Sequence, residues 1–339
     1  MIQRAGHDII VIGASSGGIE SLLAVVAGLP RDLPVTLFVV VHVPPDAESS
    51  LPQILSHAGP LPATHAKDHE QIRHGHIYVA PPDFHLLLRN GYIRIVRGPK
   101  ENRHRPAIDP LFRTAARIYG PRVVGVVLSG MLDDGAAGLL AIKQRGGIAV
   151  VQDPADALFA DMPRRSMEVV DVDYCRKKDD IAPLLIRLSR EEVKEKTAPV
   201  PEQMKKETEI EAVDMDTIED QDKPGTPSVY GCPDCGGILW ELEEGELLRF
   251  RCRVGHGFSA DGLVAAQAER LDDALWSAFR ALQENAALAR RLAARARANG
   301  NDDLASNFDK RARSAEENSE VIHGLLTQAN PPLNKSQDS

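Results

Sequence analysis

Short apolar runs punctuate the first half of the chain. Asp8–Gly13 (DIIVIG), Val35–His42 (VTLFVVVH), Gly75–Pro81 (GHIYVAP), Val123–Gly130 (VVGVVLSG) and Gly147–Gln152 (GIAVVQ) are rich in Val and Ile. Several are apolar at every position, the pattern of strands covered by helices on both faces. Stretches beginning at Gly17, Pro110 and Gly135 have helical spacing instead. After Gly17, for instance, Ile19, Leu22, Leu23, Val26 and Leu29 fall on one side. This alternation predicts an α/β domain with a doubly wound, mostly parallel sheet over residues 1–188. LLLRNGYIRIV differs, because Asn90-Gly91 lies between two apolar runs. That is a hairpin signal, so part of the sheet is expected to be antiparallel.

The alternation stops near Glu191. Glu207 to Asp222 holds eight acidic residues and no basic one, and Pro224-Gly225-Thr226-Pro227 follows. Self-repulsion and chain-breaking residues predict an acidic flexible linker over 189–229. Three of the four cysteines fall in the next segment, 230–260. Beyond it, Leu271, Leu275, Phe279 (or Ala278), Leu282, Ala286, Ala289, Leu292 and Ala296 recur every three or four positions. Asn299-Gly300-Asn301 should end that helix, and Leu304, Phe308, Ala312, Ala315, Val321 and Leu325 mark a second. Residues 261–330 are therefore expected to form a helical hairpin, available for a signalling partner or for self-association.

Composition adds exclusions. The formal charge of −9 over 339 residues argues against nucleic-acid binding. No apolar run approaches a membrane span, so no membrane insertion is expected. Met1-Ile2-Gln3-Arg4 carries no signal-peptide pattern, and the expected location is cytoplasmic.

Gly13-Ala14-Ser15-Ser16-Gly17 matches G-x-S-x-G at a strand-to-helix corner. Such a corner projects its middle serine beside a helix N-terminus. The motif alone suits either a nucleophile or a phosphate-cradling or purely structural turn. A Walker loop is excluded, because no Lys-Ser/Thr follows. A nucleophilic serine needs a base and an orienting carboxylate. His42 stands at the end of the next predicted strand, and Asp133 and Asp134 stand just past another. Reacting groups in open α/β sheets collect at those carboxyl ends. Each residue also has a plain reading: His42 as a strand-end histidine, Asp134 as the N-cap before Gly135-Ala136-Ala137.

These residues carry a resemblance. VIGASSGG, VHVPP, IYVAPPDFHL, NRHRPAIDPLF, LSGMLDDGAAGL and ADMPRRSM, in that order from about residue 8 to 188, resemble the catalytic domain of the CheB family, the chemotaxis protein-glutamate methylesterases. The resemblance implies hydrolysis of glutamate γ-methyl esters on methylated chemoreceptor-type helices, with methanol released and no cofactor for catalysis. Some members also deamidate receptor glutamines. It implies Ser15 as nucleophile, His42 as base and Asp134 as the orienting acid. Met131 and Ser16 would contribute to the oxyanion hole, and His104 would line the site. His104 also reads as an ordinary loop histidine. Asp133 receives no role. The family's usual N-terminal receiver domain has no room before a strand that begins near Asp8, so control by phosphorylation of this chain is not expected. A non-catalytic adaptor, docking receptors and recruiting a partner through the C-terminal module, is the alternative to an active esterase.

Cys232-Pro-Asp-Cys235, sixteen residues, then Cys252-Arg-Val-Gly-His256 completes the chemistry. Three thiolates and one imidazole at this spacing predict a closed, structural zinc site in a zinc-ribbon-like knuckle. GGILWELEEGELLRFR between its halves reads as two short strands around an acidic turn. Across the predicted tether, the knuckle and the catalytic domain are expected to be independent.

Overall fold

The computed structural model describes residues 6–193, 199–212, 225–244 and 247–328. The elements run β1 (Ile9–Ala14), α1 (Gly18–Ala27), β2 (Thr36–Val41), α2 (Leu51–Ala58), β3 (Ala63–His65), β4 (His76–Val79), β5 (His85–Arg89), β6 (Tyr92–Val96), α3 (Ile108–Tyr119), β7 (Val123–Val127), α4 (Ala136–Gln144), β8 (Ile148–Gln152), α5 (Asp161–Val169), β9 (Tyr174–Arg176) and α6 (Lys178–Leu188). They continue with α7 (Glu202–Glu211), β10 (Thr226–Gly231), β11 (Ile238–Glu244), β12 (Leu247–Cys252), β13 (Gly257–Ser259), α8 (Ala260–Ala298) and α9 (Asp302–Gln328).

Seven strands form one sheet in the order β3-β4-β2-β1-β7-β8-β9, every pair parallel. The central strands β1, β2 and β7 are buried along their whole length, which is why their sequences do not alternate. Ile10 and Ile12 join Leu22, Val25 and Leu185 in a core on one face. Ile9 and Val11 join Leu111, Phe112 and Leu139 in a core on the other. The sheet is thus doubly wound. The Asn90-Gly91 hairpin forms, but as a separate two-stranded sheet, β5 with β6. The main sheet carries no antiparallel strand, contrary to the sequence expectation.

The acidic linker is also corrected over part of its length. Residues 202–211 form helix α7, and Glu207 and Glu211 are buried. Arginines supply the compensation. Arg113 of α3 and Arg249 of β12 both pair with Glu207 at 3.1 and 2.9 Å, and Arg113 pairs with Glu211. Glu101 accepts from Arg113 (3.1 Å), Arg249 (2.9 Å) and Arg251 (2.7 Å). Three carboxylates and three guanidiniums therefore form one neutral, buried cluster. The rest of the acidic run, residues 213–222, lies outside the described residues.

β10 to β13 make a four-stranded antiparallel sheet that holds the cysteines. The chain divides into two compact units, Met1–Leu263 and Val264–Ser339. The knuckle therefore belongs to the same unit as the large sheet, and is not an independent body beyond a tether. In the second unit, Arg290 binds Glu316 at 2.6 Å, Arg297 binds Asp309, and the Phe279 and His323 rings lie 5.5 Å apart. These pairings make α8 and α9 an antiparallel hairpin. Its seam is alanine: Ala286, Ala289, Ala293, Ala305 and Ala312 are buried, whereas Leu271, Leu304, Val321 and Leu325 of the expected packing stripes are exposed. Leu326 of α9 is buried as well.

Candidate active site

Ser15 occupies the corner between β1 and α1. Gly17 takes a positive φ of 71°, which allows the chain to turn directly into the helix. The corner is stitched to the end of β7: Ser15 N–H donates to the Ser129 carbonyl at 3.0 Å, and Ser129 Oγ donates to the Ser16 carbonyl at 2.9 Å. His42 follows β2, and its N–H reaches the Ala14 carbonyl at 3.3 Å. Asp134 lies between β7 and α4. Ser15, His42 and Asp134 thus stand at the carboxyl ends of three adjacent strands, where an open parallel sheet gathers its chemistry.

The three side chains touch in series. His42 Nδ1 lies 3.0 Å from Ser15 Oγ, and His42 Nε2 lies 2.7 Å from Asp134 Oδ2. A carboxylate only accepts, so Nε2 carries the ring proton and Nδ1 is left to accept from the serine hydroxyl. Asp134 is almost fully enclosed. Its Oδ2 also accepts from the Ile108 N–H (2.7 Å), and its Oδ1 accepts from Asn102 Nδ2 (3.0 Å) and the Asp109 N–H (3.3 Å). Burial opposes its charge, but the His42 bond, the Ile108 N–H and Asn102 outweigh burial and hold the carboxyl down at about 2. Asp134 therefore stays ionised at neutral pH.

The N-cap reading of Asp134 does not hold. Asp109, from α3, caps α4 instead: its Oδ1 accepts from Gly135 N–H (3.0 Å) and Gly138 N–H (2.6 Å). Burial and the neighbouring Asp134 charge push the Asp109 carboxyl upward.

His104 stacks on His42, ring centroids 3.7 Å apart and 8° from parallel. Burial, and then the nearby His42, lower its pKa to about 3. His104 is therefore neutral at neutral pH. The two rings border a cleft of about 710 Å³ with Ser15, Ser16, Lys100, Arg103 and Leu158 also on its wall. That volume is within the ordinary range of small-molecule binding clefts. Met131 is not on this wall; it is about half exposed. It lies close by in the chain, since a Cβ added to Gly130 would come 2.8 Å from Ser15 Cβ.

The CheB methylesterase family model matches residues 10–185. The chain belongs to the CheB methylesterase family. A putative protein-glutamate methylesterase/protein-glutamine glutaminase of Leptospira interrogans is 37% identical over 191 residues, which are 56% of this chain and 99% of that protein. A protein-glutamate methylesterase/protein-glutamine glutaminase of Anaeromyxobacter dehalogenans is 38% identical over 188 residues, 56% of this chain and 55% of its own length. The crystal structure of the Thermotoga maritima CheB methylesterase catalytic domain superposes with a TM-score of 0.52 at 34% identity, over 53% of this chain and 98% of that one. The family-model match falls on the first part of the chain.

Outside the CheB-matched region, the structure brings Cys232, Cys235, Cys252 and His256 together, with their ligand atoms all within 4.8 Å of one another. Cys235 and Cys252 Sγ lie 3.7 Å apart, and His256 Nδ1 lies 3.7 Å from Cys232 and 3.5 Å from Cys252. A tetrahedral zinc with Zn–S of about 2.3 Å and Zn–N of about 2.0 Å requires edges of about 3.8 Å for S···S and about 3.5 Å for S···N. The donor set fits the ion. Tight turns hold each pair: Gly236 N–H returns to the Cys232 carbonyl (2.8 Å) and Gly255 N–H to that of Cys252 (3.0 Å).

Asn102 and Asp109 are the site residues that sequence reasoning missed. Both lie in the NRHRPAIDPLF motif, but nothing in their local spacing shows that they converge on Asp134. A buried, left-handed Asn (φ 49°) is recognisable as a built position only once the fold is known.

Proposed function

We propose that this chain hydrolyses glutamate γ-methyl esters on chemoreceptor-type proteins and releases methanol, with Ser15, His42 and Asp134 as a catalytic triad. The observation that carries this reading is the continuous Ser15–His42–Asp134 hydrogen-bond chain at the edge of a cleft. Ser15 Oγ attacks the ester carbonyl while its proton passes to His42 Nδ1. The imidazolium is stabilised by ionised Asp134. The tetrahedral intermediate collapses, His42 protonates the departing methoxide, and methanol leaves an acyl-serine. Water then attacks the acyl group, giving its proton to His42, and Ser15 is restored with glutamate released. A glutamine side chain would follow the same path with ammonia as the leaving group, as the double names of the relatives suggest. Backbone N–H groups near Ser16 and Met131 are proposed to hold the oxyanion; one such donor contributes roughly 3–4 kcal/mol. Purified protein incubated with receptors carrying labelled methyl esters should release labelled methanol. Intact esters after prolonged incubation would sink the enzyme reading.

We also propose that Cys232, Cys235, Cys252 and His256 bind one structural zinc, leaving no open position for catalysis. Elemental analysis should find about one zinc per chain, and Cys252→Ser should lose it. Metal-free protein with freely titrating thiols after reconstitution would reduce the knuckle to an ordinary hairpin.

A further inference from the structure

The knuckle and the candidate active site share a loop. Residues 100–104 carry Lys100, Arg103 and His104 of the cleft, and the same residues are bound from behind by the C-terminal sheet. Gly257 N–H donates to the Lys100 carbonyl at 3.1 Å, and Asn102 N–H donates to the Gly257 carbonyl at 2.8 Å. Ser259 N–H donates to Asn102 Oδ1 at 2.8 Å. The other end of that amide donates to Asp134 Oδ1 (3.0 Å) and Asp109 Oδ2 (2.9 Å). Two carboxylates on one side and an N–H on the other leave the Asn102 amide a single orientation. Ser259 Oγ caps α8 by accepting from Gly262 N–H (2.9 Å), and donates to Asp133 Oδ1 at 2.7 Å. Asp133 thereby acquires a partner that the sequence did not suggest.

Chain connectivity ties these contacts to the cysteine cluster. His256 immediately precedes Gly257, and Cys252 immediately follows Arg251, which binds Glu101 at 2.7 Å. The approach is close enough that a Cβ on Gly257 would fall 2.5 Å from the Glu101 carboxylate, which three arginines hold. Glu101 and His104 exchange backbone hydrogen bonds, Glu101 N–H donating at 3.2 Å and His104 N–H at 2.9 Å, so the turn that lays His104 on His42 has its root at Glu101.

We propose that the metal knuckle is a clasp on the triad: β13 sets the 100–104 loop, and Asn102 is a positioning residue that holds Asp134 for His42. This rests on the ligand reading of Cys232, Cys235, Cys252 and His256 and on the triad reading, and it assigns the C-terminal module a part in the reaction that the matched family region does not contain. The independence expected of the two parts from sequence is replaced by direct linkage.

Amide hydrogen exchange on the full chain, zinc-loaded and after chelation, tests the linkage without any assay of hydrolysis. Exchange across residues 100–104 should rise at least about tenfold on zinc removal, while β1, β2 and β7 keep their protection. Unchanged loop exchange would overturn the clasp. So would loss of protection throughout the sheet, which would make the knuckle a general folding requirement. Asn102→Gly tests the positioning role in the zinc-loaded chain, because glycine accepts the positive φ while losing the side chain that binds Asp134. It should keep one zinc per chain yet shift or broaden the downfield proton resonance of His42 Nε2–H. An unmoved resonance would overturn the role given to Asn102. Both readouts survive if methyl esters prove not to be the substrate; that failure would sink the proposed function alone.

Discussion

Ser15→Ala should abolish ester hydrolysis, lowering kcat by about 10⁴-fold or more, and leave the protein folded. The substitution removes only Oγ. Ser15 N–H still donates to the Ser129 carbonyl, Gly18 N–H still donates to the Ser15 carbonyl, and Gly17 still makes the turn. The side chain is partly exposed and fills no core volume. A stability change within about 0.5 kcal/mol is therefore expected. Ser16→Ala is the matched control. Ser16 is exposed, and the bond that ties it to the fold is made by its carbonyl, which the substitution keeps. Methanol release and urea unfolding on the two variants settle the assignment together. Near-normal turnover by Ser15→Ala would remove the nucleophile from this corner, and a comparable collapse in Ser16→Ala would move it one residue along.

Legibility followed burial and chain distance. β1, β2 and β7 were readable because strands buried on both faces have almost no polar positions, Thr36 alone in these three, to confuse the pattern. β3 and β9 were missed: each is three residues long and sits at a sheet edge, too short for any periodicity. As candidates, Ser15, His42 and Asp134 are marked locally, by G-x-S-x-G and two strand ends. The choice between N-cap and triad for Asp134 was not local, since the residue that takes over capping, Asp109, lies 26 positions before Gly135. Asn102 and Ser259 are 157 positions apart, and neither has a signature of its own. The acidic stretch misled for the same reason. Its carboxylates read as solvated because the arginines that neutralise them, Arg113, Arg249 and Arg251, stand in α3 and β12.

That cluster carries the second large effect. Glu207→Ala should destabilise docking of α7 and the C-terminal sheet by about 3–5 kcal/mol, the cost of leaving buried charge unpaired. Glu207 is fully buried and accepts from Arg249 at 2.9 Å, with Arg113 at 3.1 Å; without it, three guanidiniums face two carboxylates. Burial alone would raise its pKa, but the Arg249, Arg113 and Arg251 charges prevail and hold it at about 2, below the usual 4.5. An acid with a depressed folded pKa contributes stability that is complete above its unfolded value and lost as pH falls through the folded one. The wild-type chain should lose this contribution between about pH 4.5 and 2, and the variant should show that part of the acid transition missing. Because α7 lies outside the seven-stranded sheet, the cost is expected to surface first as proteolysis near residues 202–211 at neutral pH, with the sheet's own urea midpoint less affected. Glu207→Met with Arg249→Met leaves two charges of each sign, and should recover most of the loss, as replacing both partners of a buried pair often does. A Glu207→Ala cost below about 1 kcal/mol would mean that the pair behaves as a solvated one, and the buried cluster would then not be what holds the C-terminal sheet against the loop that reaches Asp134.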